Sequence, residues 1–407
     1  MRLLAAAVLL AGTQDPDLSE RVRGHAAALK EEKTRRRAVD RLSHLGPAAL
    51  RLLEKEDLDP VLLARILEDA ALHERIRESY GPPRTVTLEA EETLAAALSK
   101  IETAAGMSFV RGAIDGSTKV SLSLRDAPFW EALDGVCRQA GVAYSPAWPD
   151  RIYLNPGVVP EKPVDYHGPL RIVLDRFLLH RRNTFDRTVS ELGCRLICHW
   201  ERHVQPLGAS RRFRVLQALD DAGRSLLPDA PDETEPSRPP ATYAAWSQDF
   251  VEIRGLKPPA PGVKKIALLD GSFELDFPAA VETVRFAPPW DPSTSVRRSA
   301  GLAVELRSCM SAPSSNGVIV DLAFVFDDEK EAAAARINAR ILDFVGPADQ
   351  KQPGHAVSSR LEKNVVGLSV RCYSMPRIDD LKELVLRVPR GRIVKQVPFR
   401  FADVELK

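Results

Sequence analysis

A chain of 407 residues exceeds what one ordinary hydrophobic core organises, so several domains are expected. Lys plus Arg (57) against Asp plus Glu (56) leave a formal charge of +1, which argues against nucleic acid or another polyanion as the partner. Hydrophobic residues make up 44%, enough for buried cores, yet no stretch reaches the roughly 20 apolar residues of a membrane-spanning helix, so no transmembrane segment is expected in the mature chain.

Met1-Arg2 is a minimal positive region ahead of Leu3 to Gly12, an apolar run of signal-peptide length followed by polar Gln14 and Asp15. Residues 1–16 therefore read as an export signal and place the protein in the periplasm or outside the cell. The competing reading is the first turn of the helical segment behind it. No Cys follows the run, so no lipid anchor is expected there.

Residues 17–81 carry a helical pattern. Ala38, Leu42 and Leu45 pair with Leu50 and Leu53 across Gly46-Pro47, where Gly can end one helix and Pro open the next. Asp59-Pro60 repeats the start signal, and Leu63, Ile66, Leu67 and Ala70 continue the apolar stripe. Through Arg37-Ala38, Leu42, Leu45-Gly46 and Ala49-Leu50, this stretch resembles a single HEAT-type repeat. A solenoid needs about three such units, so a helical spacer or a cap on the next module is expected. The run Arg35-Arg36-Arg37 lies beside Glu31, Glu32 and Asp40, which predicts a solvated helix face, not a phosphate contact.

Residues 82–157 state one phrase twice. Val86 and Leu88 alternate as a strand, then Leu94, Ala97, Leu98, Ile101 and Ala105 recur at helical spacing until Gly106, and Met107 to Val110 extend again. Val120, Leu122 and Leu124 alternate in turn, Phe129, Leu133, Val136 and Ala140 follow at helical spacing to Gly141, and Val142 to Tyr144 extend. Arg151 to Leu154 adds a last strand after a turn at Pro146 to Asp150, predicting a βαββαββ module whose helices cover one shared sheet. Cys137 falls on the apolar side of the second helix and reads as a small buried hydrophobe.

The phrases Val120-Ser121-Leu122-Ser123-Leu124, Pro128-Phe129-Trp130-Glu131-Ala132-Leu133, Ala140-Gly141-Val142-Ala143-Tyr144 and Arg151-Ile152-Tyr153-Leu154 resemble the STN domain of secretins and TonB-dependent receptors. The resemblance implies a periplasmic module that makes protein contacts; it carries over no binding residue.

Beyond Gly157, Pro160, Pro163 and Pro169 mark a linker, and the remainder reads as β. Leu170 to Leu174, Cys194 to Cys198, Phe213 to Val215, Val251 to Ile253, Ile266 to Leu269, Phe273 to Phe277 and Val281 to Phe286 alternate or run apolar. Asp220 to Gly223 forms a turn from which Leu226-Leu227 can return, and Pro228 to Pro240 is an acidic, Pro-rich loop. After a break at Pro288 to Pro292, further strands follow at Leu302 to Leu306, Val318 to Phe326, Gly367 to Tyr373, Glu383 to Val388 and Ile393 to Phe401, interrupted by a helix over Glu329 to Phe344. The fold class expected is a multidomain α+β chain ending in antiparallel β-sandwich, with domains at 158–290 and 291–407 or one continuous domain. Val397 to Leu406 resembles the closing strand of exported bacterial proteins of modular β architecture.

One cluster holds metal-ligand types at close spacing: Cys194, Cys198, His199 and His203. On an alternating strand the two cysteines face one side and the two histidines the other, so convergence needs a bulge or turn. Same-strand cysteines four apart lie about 13 Å from each other, beyond disulfide reach. The pairs Asp220-Asp221, Asp327-Asp328 and Asp379-Asp380 offer carboxylates for acid–base work, yet each falls where a turn uses Asp for backbone hydrogen bonds. The chain has no His-Glu-x-x-His, no Gly-x-Ser-x-Gly, no phosphate loop and no dinucleotide fingerprint, and no cofactor is called for. A non-catalytic, exported interaction or assembly protein with partners in the cell envelope is the reading expected. The alternative is a secreted hydrolase or metal-dependent enzyme with a dispersed site.

Overall fold

A computed structural model of the chain describes residues 16–45, 47–53, 56, 58–148, 151–157, 161–183, 188–228, 248–290, 296–299, 301–312, 317–334, 337, 341–373, 375 and 377–406. The apolar run Leu3–Gly12, Gly46 and nearly all of the Pro228–Pro240 loop lie outside these residues. The architecture is mixed α+β, with helices first and antiparallel sheets in the carboxy-terminal part.

Helices α1 (Pro16–Ala28), α2 (Glu32–His44), α3 (Pro47–Leu53) and α4 (Pro60–Arg75) close over Val22, Leu42, Leu53 and Ile66. Pro47 opens α3 as expected, and the Asp59 carboxylate accepts from the Val61 and Leu62 N–H groups at the start of α4, satisfying two donors that have no intrahelical acceptor.

The α/β module follows: β1 (Thr85–Leu88), β2 (Glu92–Thr93), α5 (Leu94–Ala105), β3 (Ser108–Arg111), β4 (Lys119–Val120), β5 (Leu124–Pro128), α6 (Phe129–Ala140), β6 (Val142–Trp148) and β7 (Arg151–Pro156). Both helices stop at a left-handed glycine, Gly106 at φ 62° and Gly141 at φ 63°, a conformation a Cβ disfavours. The expected single sheet is not what forms. β1 pairs with β5, β2 with β4, and β3 and β6 flank β7, with α5 and α6 packed together against them. Helix α6 buries seven of its twelve residues, packed on α5 and, through Trp130 and Asp134, on Tyr166, Pro169 and Arg171 beyond the module. The strand predicted through Leu122 is interrupted, because Gln139 engages the Ser121 N–H (2.8 Å) and C=O (3.1 Å) through its side chain. Fully buried Leu98, Ile101, Cys137 and Leu133 lie in this core, where each large aliphatic contributes roughly 1.5–3 kcal/mol.

From β8 (Val164–His167) onward come β9 (Leu170–Asn183), β10 (Thr188–Trp200), β11 (Gly208–Asp220), β12 (Gln248–Leu256), β13 (Lys265–Phe277), β14 (Ala280–Phe286), β15 (Val296–Ser299), β16 (Leu302–Ala312), β17 (Gly317–Phe326), α7 (Glu329–Ala334), β18 (Leu342–Val345), β19 (Lys351–Pro353), β20 (His355–Glu362), β21 (Val365–Cys372), β22 (Glu383–Arg390) and β23 (Ile393–Glu405). Every pairing among these described strands is antiparallel. Two sandwiches result. Sheets β12-β10-β9-β8 and β11-β13-β23 enclose a core with Cys194, Val251, Phe273 and Phe399, whereas β14-β22-β18-β19 and β15-β16-β17-β21-β20 enclose Val320, Phe344, Leu368 and Leu386.

The chain does not divide near residue 290. β14 belongs to the second sandwich, and β23 returns to the first, in register with β13 from Lys265↔Glu405 to Phe277↔Ile393. The second sandwich is thus inserted into the first. Of the helix expected over Glu329 to Phe344, α7 is described over Glu329–Ala334, whereas Leu342 to Phe344 belong to β18, which pairs with β22 and β19. Nor is the segment around Pro163 and Pro169 a linker: it forms β8 and the tight turn into β9. The Asp220 turn forms as expected, its carboxylate accepting from the Ala222 and Arg224 N–H groups, and the Leu226 N–H reaches back to the Ala218 carbonyl.

Candidate functional site

The turn from β8 to β9, residues 165–171, is where the helical segment, the α/β module and the first sandwich meet. Arg36 of α2 is 2.6 Å from Asp270 and 3.8 Å from Asp165, whose carboxylate also accepts from the Arg400 N–H. Arg37 and Arg41 face Glu131 of α6 at 3.9 and 3.6 Å, and Arg37 lies over the Tyr166 ring. The expected solvated face of α2 is therefore a seam. Asp40, on the same helix, is only 4% exposed.

Asp40 and His44 stand one helical turn apart and so share a face of α2. Asp40 Oδ1 is 3.7 Å from His44 Nε2 and 3.3 Å from Nε2 of His167, the last residue of β8. The Gly168 N–H donates to the same carboxylate. His73 of α4 stacks on His44, with ring centroids 4.0 Å apart and planes at 14°. On β23 inward positions alternate through Ile393, Lys395 and Val397, which carries the Lys395 ammonium inward, 2.8 Å from His73 Nε2 and above the Tyr80 ring. An ammonium can only donate, so His73 Nε2 accepts and its Nδ1–H points to the Ser43 carbonyl at 3.4 Å.

Burial sets the charge state. It pushes Asp40 up to about 7 against the pull of Lys395 and the Gly168 N–H, holds His44 down to about 3, and keeps His73 and His167 well below the ordinary imidazole value, Lys395 adding to all three histidine shifts. Lys395 itself is lowered by burial, with Asp40 and Asp69 opposing. The imidazoles are neutral, with lone pairs available as ligands. Asp40 Oδ1, His44 Nε2, His167 Nε2 and the Tyr80 hydroxyl are buried without a hydrogen-bond partner. Among the described residues, Asp40, His44 and His73 form the group whose ligand atoms lie within 4.8 Å of one another. A carboxylate with neutral imidazoles suits a divalent ion of zinc type.

A second buried cluster lies on the other side of the turn. Asp134 of α6 accepts four hydrogen bonds: from Tyr144 (2.5 Å), Tyr166 (2.6 Å), and Arg171 Nε and Nη2 (2.7 and 3.1 Å). Trp130 Nε1 donates to the Pro169 carbonyl at 3.2 Å. Behind Tyr80, a groove of about 290 Å³ passes Gly81, Arg84 and His203. Beneath it, Glu201 accepts from the Arg84 N–H and stands 3.5 Å from His203 Nδ1.

The four residues singled out for metal binding do not come together. Cys194 and Cys198 are wholly buried in the first sandwich core, and all five cysteines are unbridged. His199 faces the α/β module, 5.7 Å from the Trp130 ring, and His203 sits in the groove beyond the strand. Sequence reasoning missed Asp40, His44, His73, His167, Lys395, Asp134 and Arg171. A local signal existed for Lys395, which occupies an apolar phase of an alternating strand, and for Asp40 and His44, which share a helix face with buried Ser43. Nothing local marks His73 or His167 as their partners.

No family model and no curated protein matches the chain. Among solved structures it is similar to a conserved domain protein from Bacillus anthracis, at 7% identity over 60% of this chain and 90% of that one, with a TM-score of 0.18. At that score the likeness carries no argument about fold or function.

Proposed function

We propose that the protein is an exported, non-catalytic interaction or assembly protein of the cell envelope, which docks another protein through its STN-like α/β module and the open edges of its sandwiches. The observation that carries this reading is β20. It is the outer strand of the five-stranded sheet, and its Val357 and Leu361 are 53% and 51% exposed. An edge strand with unpaired backbone groups and uncovered apolar side chains is a template for strand addition. On the α/β module, β1 pairs with β5 alone and borders a shallow groove of about 340 Å³ lined by Thr85, Thr87, Ser99 and Thr103, which gives a second, polar edge. The buried clusters at the β8–β9 turn fit the same reading, because they join modules to one another and hold the contact surfaces in fixed relation.

Capture from an envelope extract tests it. The wild-type chain retains a partner that a Val357→Lys, Leu361→Lys variant with an unchanged melting profile releases. Capture of the same protein by both would remove β20 from the interface. Export is tested separately by fusing residues 1–16 to a reporter active only outside the cytoplasm.

A further inference from the structure

We propose that the buried cluster at the β8–β9 turn binds one divalent transition-metal ion of zinc type, held by Asp40, His44 and His73 with His167 beside Asp40 as a fourth donor. The ion serves as a clip between the helical segment and the first sandwich, and its binding is read without reference to any docking partner.

The donor set comes first. Zinc-type ions are held by imidazole nitrogen and carboxylate oxygen at about 2.0–2.2 Å, which sets ligand atoms roughly 3.3 Å apart around a tetrahedron. Asp40 Oδ1 stands 3.3 Å from His167 Nε2 and 3.7 Å from His44 Nε2. All three atoms are buried with no hydrogen-bond partner, so a ligand is what would satisfy them.

Surrounding groups orient the donors as an outer shell would. His73 turns Nδ1 to the Ser43 carbonyl, leaving Nε2 as the donor atom, and the Gly168 N–H holds the Asp40 carboxylate. Gly168 also leaves the space. At φ 52°, a Cβ there would stand 2.9 Å from His44 Nε2, 3.0 Å from the Tyr80 hydroxyl and 3.3 Å from Asp40 Oδ2. Two of the proposed ligand side chains, His44 and Asp40, thus border a space that a side chain at position 168 would enter.

Lys395 is the competing cation. Its ammonium, 2.8 Å from His73 Nε2, cannot share that lone pair with a dication, so loading requires Lys395 to give up the contact. The histidine rings stack in parallel at 4.0 Å and must rotate for their lone pairs to converge. Both features predict an ion bound more weakly than in a closed structural zinc site, and an affinity governed by residue 395.

The test uses the full chain, stripped with chelator and titrated with zinc(II), then with cobalt(II) as a spectroscopic probe. Expected are one equivalent of zinc, a rise in melting temperature, and the strong visible bands of a low-symmetry cobalt site. His44→Gln and His73→Gln abolish the bands, and Lys395→Met tightens zinc binding at least about tenfold, as removal of a unit charge in contact with a ligand atom requires. Should the histidine variants fail to fold, the wild-type spectrum and the Lys395→Met titration still decide. Substoichiometric uptake by the wild type, cobalt bands that survive in folded His44→Gln, or an affinity indifferent to Lys395→Met would each overturn the site.

Discussion

Asp134→Ala tests whether the seam between the α/β module and the first sandwich is held by charge. The substitution removes an acceptor of four hydrogen bonds and leaves the Arg171 guanidinium, 9% exposed, without its carboxylate. Stranding one member of a buried ion pair costs about 3–5 kcal/mol. The Tyr144 and Tyr166 hydroxyls lose their acceptor as well, at up to about 1–3 kcal/mol each, although groups sharing one partner do not add. A loss of about 4 kcal/mol is expected. In the double variant Asp134→Leu, Arg171→Met no charge is stranded, so most of that loss is recovered, to within about 1–2 kcal/mol of wild type. Urea unfolding followed by tryptophan fluorescence reads the effect, because Trp130 lies in the seam; the transition of that module is the quantity compared, since a multidomain chain does not unfold in one step. A single variant within about 1 kcal/mol of wild type, or a double variant as unstable as the single, refutes the argument.

Three further outcomes are expected. Gly168→Ala, at φ 52° and with a Cβ 2.9 Å from His44 Nε2, lowers stability by about 2 kcal/mol and makes α1 to α4 the first segment cut in limited proteolysis; a melting curve unchanged from wild type contradicts this. Burial and the nearby Arg171 hold His199 down to about 3, with Asp134 opposing, against 6.5 in the unfolded chain. The unfolded state therefore binds the proton first. Stability is whole above 6.5 and declines as pH falls from there toward 3, by about 2 kcal/mol between roughly pH 7 and pH 5. His199→Gln removes that share of the pH dependence, and denaturation curves at the two pH values measure it. Arg36→Ala deletes the contacts with Asp270 and Asp165 and loosens the helical segment by about 1–2 kcal/mol, read as faster amide exchange in α2.

Residues 82–157 were legible because their signals are local. Gly106 and Gly141 end helices wherever the chain goes afterwards, Asp59-Pro60 starts one, and period-2 alternation marks strands such as Ile393 to Phe401. Which strands become neighbours is not local. The Ala-rich run after Glu329 has helical propensity throughout, yet β22 captures Leu342–Val345 as a strand, and hydrogen bonding across a sheet outweighs a fraction of a kcal/mol per residue.

The charged residues show the same division. Arg36 read as part of a solvated helix face, because its near neighbours Glu31, Glu32 and Asp40 are charged and nothing within a few residues names the partners that cover it. Lys395 meets His73 across 322 positions of chain, and Asp134 meets Arg171 across 37. Local signals alone placed the capped helix ends and the apolar faces of the alternating strands, since those depend on steric and hydrogen-bonding preferences within one or two turns. Long-range packing set the rest: the second sandwich interrupts the first, β8 and β9 join three modules, and histidines from a helix pair and a hairpin surround one aspartate. Burial of a charge depends on what covers it, and here the cover comes from elements 37 to 322 positions away along the chain.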